Sequence, residues 1–155
     1  MAEHFFAVSL EWSGNTGSGT SGYKDYRRDT LILAEGKKTI DGSADKAFHG
    51  DRARWNPEEL LIAALSECHL LSFLHVASSA GVVVESYTDS ATGTLVLNSD
   101  GGGHMVEVTL RPRIEISAGD QSVVPDLHRK ASELCFIANS VNFPVHHEPV
   151  TLITP

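Results

Sequence analysis

Two side chains in this sequence can do covalent chemistry unaided, the thiols of Cys68 and Cys135. They lie 67 residues apart, each within a segment of helical periodicity, and each on the apolar side of its segment. Such a pair suits a redox couple. One thiolate attacks an oxidant and becomes a sulfenic acid, and the second thiol closes a disulfide. The plainer alternative is that both simply fill space, since free cysteine is among the most buried residue types. Reactivity requires a thiolate, and Cys68 sits too deep in its helix for the N-terminal dipole to supply one, so a neighbouring cation is needed. The candidates are Arg27, Arg28, Arg52 and Arg54. Glu58 is the natural carboxylate to hold such a guanidinium through a bidentate pair, although acid in a first helical turn is also explained by the helix dipole alone. Ten residues of straight helix separate Glu58 from Cys68, about 15 Å along the axis. If both serve one site, Glu58 must come from a second copy of the chain.

The segment that positions Cys68 announces its own start. Asn56 can cap, Pro57 suits the first helical position, and Glu59 stands three residues after the cap. The residues that follow are apolar on almost every side, the mark of a buried helix, and Gly81 is a natural stop. The pattern predicts a helix from Pro57 to Ala80, interrupted by Glu67, His69, Ser72 and His75 and therefore a core helix rather than a membrane span. A second helix is predicted over 123–138, with Leu127, Ala131, Leu134, Cys135 and Ala138 on one face.

The remaining elements read as strands. Residues 6–12 alternate as a strand with one buried face, 30–34 and 38–40 follow, and 85–116 form a β-hairpin turning at 98–103. Pro112 implies an edge or bulge in its second arm. Residues 145–153 make a last strand. Strands, long helix, hairpin, helix and strand, without repeated βαβ units, give an α+β fold, expected as one domain over 1–155. The glycine- and serine-rich 13–22 segment matches neither phosphate-binding fingerprint and reads as a loop.

Eight histidines offer rival chemistry. Cys68-His69 and Cys135 with His146-His147-Glu148 have the donor types for a metal site, but no spacing matches a metal motif, and adjacent helix residues point about 100° apart. A cysteine–histidine hydrolase has the residue types without any ordering motif. A net charge of -8 without a basic stripe argues against nucleic-acid binding. No basic-then-apolar leader opens the sequence, which makes a cytoplasmic location, with reduced thiols, the expectation.

Asn56-Pro57-Glu58-Glu59-Leu60 followed by Cys68, with the late Leu134-Cys135-Phe136, resembles the OsmC/Ohr family of osmotically inducible and organic hydroperoxide resistance proteins. The resemblance runs from the first strand to the last. It implies the OsmC-like fold, with antiparallel sheets around two helices in an interlocked homodimer with shared sites. It also implies reduction of alkyl or lipid hydroperoxides in oxidative stress defence, with Cys68 as peroxidatic thiol and Cys135 as resolving thiol. Glu58 would then orient an arginine from the other subunit, and a dithiol or lipoylated protein would return the enzyme to its reduced state, without metal or bound cofactor. The arginine does not map cleanly: Arg54 or Arg52 is the expected activator, with Arg27 and Arg28 as the early-loop options. The sequence is thus similar to an OsmC-like branch rather than the well-defined peroxidases, and a fold-retaining binder of a small apolar ligand is the alternative.

Overall fold

The structure is a computed structural model describing residues 2–153. The chain divides into two compact units, residues 1–60 and 61–155. In the first, β1 (Ser9–Trp12), β2 (Thr30–Leu33) and β3 (Ile40–Gly42) form an antiparallel meander in the order β1-β2-β3. The 13–22 segment is a loop, as expected, in which Asn15 Oδ1 accepts from the amides of Gly17 and Gly19. One expectation fails here. Neither face of β1 is buried in the single chain: Leu10 is 71% exposed, and Phe5 and Phe6 just before the strand are about 90% exposed. Alternation records which face seeks cover, not whether the same chain supplies it.

The long helix α1 (Pro57–Ser79) starts in the first unit and runs on into the second. Its predicted cap forms as a reciprocal box. Asn56 Oδ1 accepts from Glu59 N–H at 2.8 Å, and Glu59 Oε2 accepts from Asn56 N–H at 3.2 Å. Gly81 ends the segment at φ +71°, a conformation glycine adopts without cost. The expectation of burial on every side does not hold for the single chain. Leu65, His69, Phe73, Val76 and Ala77 form a buried stripe, while Leu71 is 59% exposed and Leu74 also lies open. Length and composition alone would allow α1 to cross a membrane, contrary to the reading from its polar interruptions, but its buried stripe packs as in a core helix.

In the second unit the predicted hairpin is longer and is broken into two ladders. β4 (Val83–Asp89) and β5 (Thr92–Leu97) form one arm, β6 (Gly103–Leu110) and β7 (Pro112–Ala118) the other. β4 pairs with β7 and β5 with β6, all antiparallel. The break falls at Arg111, where Pro112 opens β7, the first-residue position at which a strand tolerates proline. The predicted last strand is likewise split. β8 (Val145–His147) runs parallel to β6, and β9 (Val150–Ile153) parallel to β7, so the sheets read β4-β7-β9 and β5-β6-β8.

The second helix, α2 (Val124–Leu134), is shorter than predicted. Cys135 has already left helical geometry (φ -71°, ψ 108°) and serves as the C-cap, and Ala138–Ser140 is a separate 3-10 turn. Two core clusters hold this unit together. One joins Phe73, Val76 and Ala77 of α1 to Ile114 and Ile116 of β7 and Leu127 and Ala131 of α2. The other gathers Leu65 with Val108 and Leu110 of β6.

Candidate active site

Cys68 projects from the middle of α1 and is half-buried, whereas Cys135, at the end of α2, is 1% exposed; both thiols are free. Their positions follow from packing. The apolar stripes of α1 and α2 meet in one core cluster, which brings the middle of one helix to the end of the other. There the two thiols lie close enough for Cys68 to raise the Cys135 thiol. Cys135 Sγ also accepts from Ala138 N–H at 3.4 Å. Burial, followed by the neighbouring Cys68, pushes the Cys135 thiol up to about 11. Cys135 therefore stays protonated at neutral pH while facing its partner, a suitable state for a thiol that acts second.

The structure brings the two cysteines together; it brings none of the arginines to Glu58. Glu58, half-buried in the first turn of α1, makes no ion pair among the described residues. Arg54 is enclosed by carboxylates, with Asp41 at 3.2 Å and Asp29 and Asp51 each at 3.9 Å. Arg27 pairs with Asp29 at 3.3 Å. Arg52 is exposed and unpaired among the described residues. Arg28 differs from the rest. Its guanidinium lies over the rings of Tyr26 and Tyr23, 4.2 and 4.6 Å from their centroids, and donates to both of their backbone carbonyls at 2.7 Å. It lines an apolar cavity of about 620 Å³ in the first unit, together with Leu10, Trp12, Ile32, Trp55 and Leu60.

The helices that carry the thiols also carry members of a group that sequence reading dispersed among eight histidines. His69 of α1, His128 of α2 and His147 of β8 cluster in the core, with His69 and His128 almost fully buried. His69 Nε2 and His128 Nδ1 are 3.1 Å apart and share one hydrogen bond. Phe73 covers the face of His128 at 4.1 Å, and Tyr87 of β4 follows at 5.9 Å from Phe73. Burial, then the neighbouring imidazoles, lowers His69 to about 3 and His128 to about 4, and burial lowers His147 as well. All three are neutral at neutral pH. The one local signal was helical phase: His69 and Phe73, at i and i+4, fall on the same face of α1. The metal alternative finds no support in the geometry. Among the described residues no three His, Cys, Asp or Glu side chains are arranged to hold an ion.

A profile of the family described as OsmC-like protein matches residues 49–149, spanning α1, the hairpin, α2 and both thiols. The chain belongs to the OsmC-like family. Among solved structures, an OsmC-like protein of unknown function from Vibrio cholerae is 34% identical. The match covers 97% of this chain and 100% of that one, with a TM-score of 0.83. The organic hydroperoxide resistance protein OhrB of Bacillus subtilis shares the fold at 21% identity and a TM-score of 0.63, over 94% of this chain and 98% of that one. An uncharacterized protein of Bacillus subtilis, YmaD, is 23% identical, over 91% of this chain and 89% of that protein. The α+β architecture of this OsmC-like protein, two main helices and several sheets, is the one its sequence implied.

Proposed function

We propose that this protein is a thiol-dependent peroxidase acting on organic hydroperoxides in oxidative stress defence. The observation that carries this reading is the proximity of Cys68 and Cys135 on two helices, with Cys135 buried and held as a thiol. The Cys68 thiolate attacks the distal oxygen of the hydroperoxide and the O–O bond breaks. The alkoxide leaves as the alcohol after taking a proton, and Cys68 becomes a sulfenic acid. The sulfur of Cys135 then attacks the sulfenic sulfur. Its own proton and the displaced hydroxide leave as water, and a disulfide forms. An external dithiol, such as a lipoyl group, supplies two electrons and two protons to restore both thiols. No metal or resident cofactor takes part in this scheme.

The arginine that stabilises the thiolate and the departing oxygen must keep its charge available. Arg54 shares its charge with three carboxylates and Arg52 stands in solvent. Arg28, half-buried beside an apolar cavity and without a carboxylate partner among the described residues, suits the task better, and we rank it ahead of both. Glu58, ten residues before Cys68 on one helix, contributes from a second copy of the chain. The apolar surfaces of Phe5, Phe6, Leu10 and Leu71, exposed in the single chain, are what an interlocked homodimer would cover. The cytoplasm, where dithiol reductants are available, is the expected setting.

The test is consumption of cumene hydroperoxide and of hydrogen peroxide with dihydrolipoamide, for the wild type and Cys68→Ser. Faster turnover of the organic peroxide, abolished in the variant, is expected. An inactive wild type with both thiols intact would remove the peroxidase reading. The same cavity favours one second reading, a binder of small apolar ligands, which that outcome would leave in place.

A further inference from the structure

The buried side-chain polar atoms that lack a partner among the described residues fall mainly in one place. Three of the four, His69 Nδ1, His128 Nε2 and His147 Nε2, belong to the imidazole cluster, and the fourth, Tyr87 Oη, is on the ring that packs against Phe73. The arrangement is not that of ligands converging on an ion. The rings of His69 and His128 are nearly parallel (11°), with centroids 5.4 Å apart and facing nitrogens at 3.1 Å. They lie edge to edge with one proton between them. Whichever ring donates, one outer nitrogen is left as a donor and the other as an acceptor. A leucine and a phenylalanine would fill this space without leaving polar atoms unpaired. What a hydrogen bond provides, and an apolar contact does not, is direction. Its strength falls within a few tenths of an ångström and a few tens of degrees, whereas apolar surfaces slide at little cost.

The ring of His128 is held on two sides by α1, edge-on by His69 and face-on by Phe73 one turn further along. His69 follows Cys68 directly. Cys135, the C-cap of α2, stands seven residues after His128, about two turns on. Fixing the ring of His128 therefore fixes both the rotation of α2 about its axis and its level along α1. Those two coordinates decide whether Cys135 meets Cys68.

We propose that His69 and His128 are positioning residues, a polar tie between the two thiol-bearing helices that sets the approach of Cys135 to Cys68. The proposal rests on the thiol-pair reading of the site but not on the nature of the oxidant. The tie acts only through geometry: among the described residues neither imidazole hydrogen-bonds to either sulfur.

The test measures how readily the two cysteines bond to each other, as the equilibrium between the internal disulfide and glutathione redox buffers at pH 7.5. This effective concentration is compared in the wild type, His128→Asn, His128→Phe and Ile116→Ala. Asparagine places an amide where His128 Nδ1 stands and keeps the tie. Phenylalanine keeps the ring and loses the tie. Ile116→Ala weakens the shared core on β7 without touching either histidine. The effective concentration is expected to fall tenfold or more in His128→Phe and to stay within about threefold of wild type in His128→Asn and Ile116→Ala. Should His128→Phe not fold, His69→Leu against His69→Gln makes the same comparison from α1, glutamine reaching the position of His69 Nε2. Equal values for the tie-breaking and tie-keeping variants would overturn the proposal while leaving the thiol pair intact. A wild type that forms no internal disulfide, even with diamide, would overturn the thiol-pair reading and the tie with it.

Discussion

The buried histidines make stability depend steeply on pH in a range where few other groups titrate. His69 and His128 are lowered in the folded protein to about 3 and about 4, while an imidazole in the unfolded chain titrates near 6.5. Between those values the unfolded state binds more protons than the folded state, so stability rises with pH. Their contribution is complete above about pH 7 and is lost as the pH falls below 6.5. At pH 5 each histidine has cost about 2 kcal/mol relative to pH 8, a figure set by the distance from 6.5 to 5 and insensitive to the folded value once that is 4 or lower. Two of them cost about 4 kcal/mol, out of a total that for a domain is about 5–15 kcal/mol. His147, lowered by burial but supported by Asp89, adds in the same direction. The carboxylates mostly titrate below pH 5 and leave this window to the imidazoles. Urea unfolding at fixed protein concentration, at pH 8, 6.5, 5.8 and 5, reads the slope directly. Replacing His69 and His128 together by Gln and Asn should flatten the curve by about 4 kcal/mol across the range. A wild-type stability that is flat from pH 8 to pH 5, or a double variant that loses as much as the wild type, would refute the burial argument.

The two thiols should part company on mutation. Cys68→Ser should lose all peroxide turnover, whereas Cys135→Ser should accept one equivalent of peroxide and accumulate a dimedone-reactive sulfenic acid on Cys68, both read by mass spectrometry; normal turnover of Cys135→Ser with a monothiol would end its resolving role. Asn56→Ala removes the acceptor of the Glu59 amide and should cost about 1 kcal/mol in urea unfolding, with full activity per folded molecule. Leu71→Asp places a charge on the open face of α1 and should convert a dimer to monomers in sedimentation, whereas an unchanged sedimentation coefficient would show that this face is not covered by a second copy. Arg28→Ala should slow iodoacetamide alkylation of Cys68 at pH 6 at least tenfold, and Arg54→Ala should not; the reverse order would return the activating role to Arg54.

What the sequence made legible was whatever local chemistry decides. The Asn56–Glu59 box and Gly81 located α1 to within one residue at its far end, because caps are properties of a few adjacent side chains. The hairpin was visible from its turn, but its division into two ladders was not. That break depends on Pro112 falling opposite Asp89 at the end of β4, a matter of register between distant strands. The end of α2 was overrun because the apolar phase continues through Cys135 and Ala138, while the backbone turns away at Cys135 to let its sulfur reach Cys68 and the Ala138 amide. Burial was the least legible property. Both β1 and α1 carry apolar faces that the single chain leaves open, and periodicity alone cannot say which molecule provides the cover.

The histidines illustrate a further limit. The thiols were read as a pair because chemistry links two cysteines whatever lies between them, but nothing of that kind links His69, His128 and His147 until three elements are packed. Each is unremarkable in its own segment, and the only shared mark is that His69 and His128 fall on the faces that Phe73 and Ala131 show to be interior. A polar residue on an apolar face asks where its partner is. Here the partner is another such residue on the other helix, and the answer couples the two faces that carry Cys68 and Cys135. The same burial that makes the thiols meet obliges the imidazoles to stay neutral, so the acid sensitivity of the fold and the alignment of the thiols arise from one contact between α1 and α2.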